Sequence, residues 1–103
     1  MNSWDIFKIL YYALDSEWEK SKNVVLGDFL SEMNPFIFEG EGSADPVIYN
    51  EFKSKFNEEF NATCKIDEGY SFCKKYIEEL NKTEIIDAFN NKKVEDWIKA
   101  YKD

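Results

Sequence analysis

Trp4, Phe7, Tyr11, Leu14 and Trp18 recur at spacings of 3, 4, 3 and 4, with Leu10 alongside. A helix brings such positions onto one face, whereas a strand would throw them to alternating sides. The spacing predicts a helix over 3–20, with Ser3 as its N-cap and Asp5 in the first turn, near the positive end of the helix dipole.

The same period returns along the chain. Asn23 is placed to cap a helix over 24–33, on which Val25, Phe29 and Met33 lie four apart. Asn34-Pro35 ends it, because the residue before a proline is pushed out of the helical region. Phe36-Ile37-Phe38 reads as extended at most, and Gly40 and Gly42 mark a loop running to Asp45. Asp45-Pro46 is a helix start, an N-cap residue followed by proline at the first helical position. Tyr49, Phe52, Phe56 and Phe60 then predict a helix over 46–60.

Asn61 to Gly69 reads as a connector, followed by a helix over 69–81 carrying Tyr70, Cys73, Ile77 and Leu80. Thr83 is a candidate cap for a short helix with Ile85, Ile86 and Phe89. After Asn90-Asn91, Val94, Trp97, Ile98 and Tyr101 make a last face, and these final two pieces read either as separate helices or as one bent helix. No alternating strand pattern is convincing. The expectation is an all-α fold, a single domain over 1–103 built as a bundle of five or six helices. Its expected core is Trp4, Phe7, Tyr11, Leu14, Phe29, Phe52, Phe56, Ile77 and Trp97.

What the chain lacks bears on function. It contains no histidine, arginine or glutamine, and its 13 lysines face 21 acids for a net charge of −8. Without histidine the commonest general base and metal ligand are missing. Without arginine, bidentate clamping of phosphate or carboxylate is missing too. The expectation is a binding protein rather than an enzyme, with no catalytic residue, no cofactor and no metal site.

The charge is also unevenly spread. Residues 1–51 carry ten acids and three lysines, and 52–103 carry eleven acids and ten lysines. Between Lys22 and Lys53 there is no base at all, while Asp28, Glu32, Glu39, Glu41, Asp45 and Glu51 all fall there. Such a field repels nucleic acid and anionic membrane and draws in a cationic protein. No run approaches the roughly 18 apolar residues of a membrane span. The opening Met1-Asn2-Ser3-Trp4-Asp5 lacks the basic region of a secretory signal, so the expected location is cytoplasmic and Cys64 and Cys73 are expected as thiols.

The segment from Phe36 to Asp45 is the most unusual one. Its acids alternate as in a calcium loop, but counting from Glu39 puts Ala44 sixth and Asn50 twelfth, where an EF-hand needs Gly and Glu. Aromatic residues among acids suit an interface better than a plain connector. Phe36, Phe38, Glu39, Glu41 and Asp45 are therefore the expected partner-binding residues. Near the end of the first helix, Asp15 and Glu19 share a face and Glu17 points elsewhere, all three reading as solvated. Cys73 falls on an apolar stripe and reads as core, while Cys64 reads as exposed.

Together these features lead to the expectation of an acidic protein-binding module. Its sharpest form is an inhibitor or immunity protein that neutralises a basic partner such as a toxin or nuclease. Two alternatives stand beside it: a structural or assembly subunit, and a small-ligand protein or enzyme using carboxylates and tyrosines in a pocket between helices. The oligomeric state is left open.

Overall fold

The computed structural model describes residues 1–37 and 39–102, with side chains through residue 99. Six helices account for most of it: α1 (Ser3–Ser21), α2 (Val24–Met33), α3 (Pro46–Phe60), α4 (Ile66–Glu79), α5 (Thr83–Asn90) and α6 (Val94–Lys102). There is no strand among the described residues. The all-α bundle expected from the apolar periodicity is what forms, in its six-helix version.

Helix α1 is the hub, packing against each of the other five helices. It buries Ser3, Ile6, Phe7, Leu10, Leu14 and Glu17. This face is not centred where the aromatic stripe placed it. Trp4, Tyr11 and Trp18 are only partly buried against the core. They recur every seven residues about a quarter-turn from the centre of the buried face, where large rings straddle core and solvent. The same rotation brings Glu17 inward, so its expected solvation is corrected: it is 7% exposed.

The remaining expected core residues, Phe7, Leu14, Phe29, Phe52, Phe56, Ile77 and Trp97, are buried. Phe52 is the aromatic centre. Its ring lies 5.1 Å from Phe7, 5.3 Å from Phe72 and 5.1 Å from Tyr76, each in an edge-to-face arrangement. Such pairs add to the area they remove from water.

Helix boundaries shift where side chains find other work. Asn2, not Ser3, caps α1: its side chain accepts the Asp5 N–H at 2.9 Å, and the Asp5 carboxylate accepts the Asn2 N–H at 3.2 Å. Ser3 is buried and bonded to Tyr49 instead. Helix α4 starts at Ile66 rather than 69 because Glu68 reaches back to the Lys65 N–H at 2.8 Å and supplies a cap that Lys65 itself does not announce. Gly69 thus lies inside the helix, where a β-carbon would collide with Ile6 of α1, so it sets how closely the two helices approach. Helix α5 is flanked by Lys82 and takes Thr83 as its first residue. Residues 91–93 separate α5 from α6, with the Asp96 carboxylate accepting the Lys93 N–H at 2.8 Å to start the last helix.

Both cysteines are free thiols. Cys73 is fully buried in the core, and burial pushes its pKa well up. Cys64 is half-buried rather than exposed, and burial raises its pKa as well. Neither thiol is activated as a nucleophile. No helix is long and apolar enough to cross a membrane among the described residues.

Candidate functional site

The segment between α2 and α3 is a loop with a closed neck. The Asp45 N–H donates to the Glu32 carbonyl at 2.8 Å and the Ala44 N–H to the Asn34 carbonyl at 3.0 Å, so the chain returns to the end of the helix it left. These bonds also satisfy carbonyls that the last turn of α2 leaves unpaired. Below the neck, Ser43 is buried. Its hydroxyl donates to the Asp45 carbonyl and accepts the Tyr49 N–H. The loop is held in the manner of an Ω-loop, with its ends together and its middle projecting.

At the first side of this loop, the Asn34 side chain accepts the Phe36 N–H at 2.9 Å, and the turn aims Phe36 at α1. No extended stretch forms at 36–37; Phe36 lies in a turn and Ile37 at a bend. The Phe36 ring lies 5.8 Å from Tyr11 and 5.6 Å from Tyr12, and those two rings are 6.0 Å apart. The cluster faces water: Tyr12 is 58% exposed, Phe36 53% and the adjoining Ile37 56%. Burying one such side chain is worth about 1.5–3 kcal/mol, so leaving three out together is costly unless something covers them.

The expected site residues divide into several kinds. Phe36 is exposed and mounted on α1. Phe38 lies outside the described residues. Glu39 is exposed, with no hydrogen bond or ion pair among the described residues. Glu41 is exposed but tied down, its Oε1 accepting the Tyr49 hydroxyl at 2.8 Å. Because that hydroxyl spends its one hydrogen on the carboxylate, the 3.1 Å contact with Ser3 Oγ is donated by the serine. Burial first, and then Glu41, push the Tyr49 pKa up to about 12 against the opposing Ser3 bond. Asp45 caps α3 through the Val47 N–H at 3.1 Å, so its charge also serves the fold.

Sequence reasoning missed Tyr12, Ile37 and Asp15 at this place. Tyr12 sits off the aromatic stripe of α1, on a face that reads as polar, and only the returning loop gives it a neighbour. Helix periodicity alone carries no signal for that.

The ion pairs sharpen the electrostatics. Among the described residues they join Glu17 to Lys20 and Lys92, Glu19 to Lys22, Glu79 to Lys55, and Glu59 to Lys75. None involves Asp28, Glu32, Glu39, Glu41, Asp45 or Glu51. Asp28 and Glu32 share a face of α2 one turn apart. The Glu32 carbonyl is in turn the anchor for Asp45, so the acids of α2 and of the loop neck belong to one end of the molecule.

Beside the aromatic cluster runs an open groove of about 750 Å³ between α1 and the start of α6, lined by Ile9, Tyr12, Ala13, Phe36 and Trp97. Its charged rim is already committed. Asp5 and Asp96 cap helices, Lys8 lies over Trp4, and Lys92 meets Glu17. The buried carboxylate, Glu17, is bonded by Asn91 Nδ2 at 3.0 Å and by lysines. Burial pushes its pKa up, but the bonds from Asn91, Lys20 and Lys92 outweigh that and hold it below the ordinary value. A buried carboxylate and a tyrosine hydroxyl do not meet in a pocket among the described residues. No group of three or more acids or thiols is arranged to hold a metal ion there either.

No protein-family model, curated protein or solved structure matches this chain.

Proposed function

We propose that this chain is an acidic protein-binding module whose partner is a basic protein, docking on the 36–45 loop and the adjoining aromatic cluster of α1. One observation carries the reading. The six acids between Lys22 and Lys53 have no lysine partner among the described residues, while the ion pairs lie elsewhere. Unpaired surface carboxylates beside uncovered aromatic rings supply the two parts of an interface, long-range steering and a desolvated anchor. In its sharpest form the module is an inhibitor or immunity protein that places acids in the cationic substrate site of a toxin or nuclease. The test is affinity capture from the native host at low and raised salt, with the native chain and with Glu39→Gln/Glu41→Gln. The expected catch is a basic protein that raised salt releases and that the double variant holds less well. A catch indifferent to salt and to both substitutions would sink the reading.

A further inference from the structure

Lysines of this chain repeatedly lie over its own aromatic rings, two at the surface and one in the core. Lys8 Nζ is 5.6 Å from the centre of the Trp4 ring, Lys22 Nζ 4.0 Å from Trp18 and Lys55 Nζ 6.0 Å from Tyr76. The attraction is between a cation and the negative face of the ring. On α1, Trp4 and Trp18 each carry such a lysine. Between them lies the more open group of Tyr11, Tyr12 and Phe36, and no lysine lies over it among the described residues. Lys20, the remaining lysine of α1, is turned to Glu17 at 3.2 Å.

A carboxylate accompanies these rings. Asp15 lies one helical turn beyond Tyr11 and three residues beyond Tyr12, so it shares their side of α1. It has no ion pair among the described residues, and with Tyr11 it lines one shallow hollow between α1 and α2. The Tyr11 hydroxyl is held protonated beyond its ordinary range, first by burial and then by the charge of Asp15. Aromatic faces next to an unpaired carboxylate match one side chain better than any other. The arginine guanidinium is flat enough to stack on a ring, and its fork of donors fits a carboxylate. Arginine is also the cation this chain cannot supply itself.

We infer that Tyr11, Tyr12, Phe36 and Asp15 form a seat for an arginine side chain of the basic protein partner, its guanidinium stacked on the Tyr12 and Phe36 rings and paired with the Asp15 carboxylate. The inference rests on the reading of the module as a binder of basic protein, and it adds which side chain the partner inserts and where. The loop acids steer; the seat anchors.

The full chain, labelled with nitrogen-15, is titrated with an acetylated and amidated Gly-Arg-Gly peptide and separately with its Gly-Lys-Gly counterpart. A lone side chain is a weak ligand, so the arginine peptide is expected to shift the amides around 11, 12, 15 and 36 with a dissociation constant of about 1–10 mM. The lysine peptide is expected to bind at least roughly threefold more weakly, lacking the flat stacking group. Tyr12→Ala and Asp15→Asn each alter an exposed or half-exposed side chain, and each should weaken the arginine titration several-fold while shifts elsewhere in the spectrum stay put. Equal binding of the two peptides, or titration unmoved by both substitutions, overturns the seat. Shifts confined to Asp28, Glu32 and Glu39 overturn it too, while leaving the acidic face as a docking surface. Amides of the cluster that move on dilution without peptide would show that a second copy of the chain covers the rings, which also overturns it.

Discussion

Glu17 and the loop carboxylates Glu39 and Glu41 are the same chemical group put to opposite uses. Glu17 is turned inward and bonded by Asn91, Lys20 and Lys92, so it fastens α1 to the connector between α5 and α6. Its charge is spent inside the fold. Glu39 and Glu41 stand on a loop that no lysine reaches among the described residues, and their charge projects into solvent. The difference comes from where lysines fall in the chain: ten follow residue 51 and none lies between Lys22 and Lys53. An acidic net charge says little about function, whereas an acid left without a counter-charge on an anchored loop says a good deal.

The largest expected effect sets the scale for that comparison. Phe56 is fully buried under Phe52 and Phe72, and Phe56→Ala should cost about 3–5 kcal/mol in chemical denaturation. A near-neutral result would mean that α3 does not face the core as described, and the loop it anchors would lose its footing.

Glu17 against Glu39 comes next. Glu17→Ala leaves the Asn91 amide and the Lys92 ammonium without their acceptor and should cost about 1.5–3 kcal/mol. Glu39→Ala should stay within about 0.5 kcal/mol, as exposed substitutions do. Equal costs would erase the distinction between the two regions. The pH dependence separates them again. Because the folded pKa of Glu17 lies below its ordinary value of 4.5, the stabilisation it adds is present above that value and is lost as pH falls through the lowered one. Glu17→Gln should flatten the acid limb of the stability curve, and an unchanged acid limb would count against the clamp.

A smaller loss of stability than that of Glu17→Ala is expected at Tyr49. Tyr49→Phe removes the hydrogen that Glu41 accepts and should cost about 0.5–1.5 kcal/mol. Its clearer signature is local: amide exchange at Ala44 and Asp45, whose N–H groups close the neck, should quicken while that of α4 is unchanged. Exchange that stays slow would mean that the neck bonds alone hold the loop.

Much of the fold was legible in the sequence because helices announce themselves twice, by period and by punctuation. Asn23 before α2 and Asp45-Pro46 before α3 supplied both signals, and both helices begin there. The start of α4 was not legible: its cap is a glutamate reaching backwards from Glu68, and Gly69 reads as a breaker until Ile6 is seen against it. The rotation of α1 was hidden because bulky rings at its edge outweigh Ser3 and Glu17 at its centre in any count of apolar residues. Of the site, the acids and Phe36 could be picked out from the chain. Their mounting could not, since the contact of Phe36 with Tyr11 and Tyr12 is a tertiary event between a loop and a helix, made by residues more than twenty positions apart.

The central claim is that the loop carboxylates steer a basic protein onto this face. The most direct measurement is the association rate of the captured basic partner with the native chain and with Glu39→Gln/Glu41→Gln, across a range of salt. The amide that replaces the Glu41 carboxylate retains an oxygen for the Tyr49 hydroxyl, and Asp45 keeps its cap, so the loop stays in place. The native rate should fall steeply with salt, since steering acts over about 8–10 Å at physiological ionic strength. The double variant should associate roughly tenfold more slowly at low salt and converge with the native chain at high salt. An unchanged rate at low salt would contradict the account and leave the loop a connector between two helices.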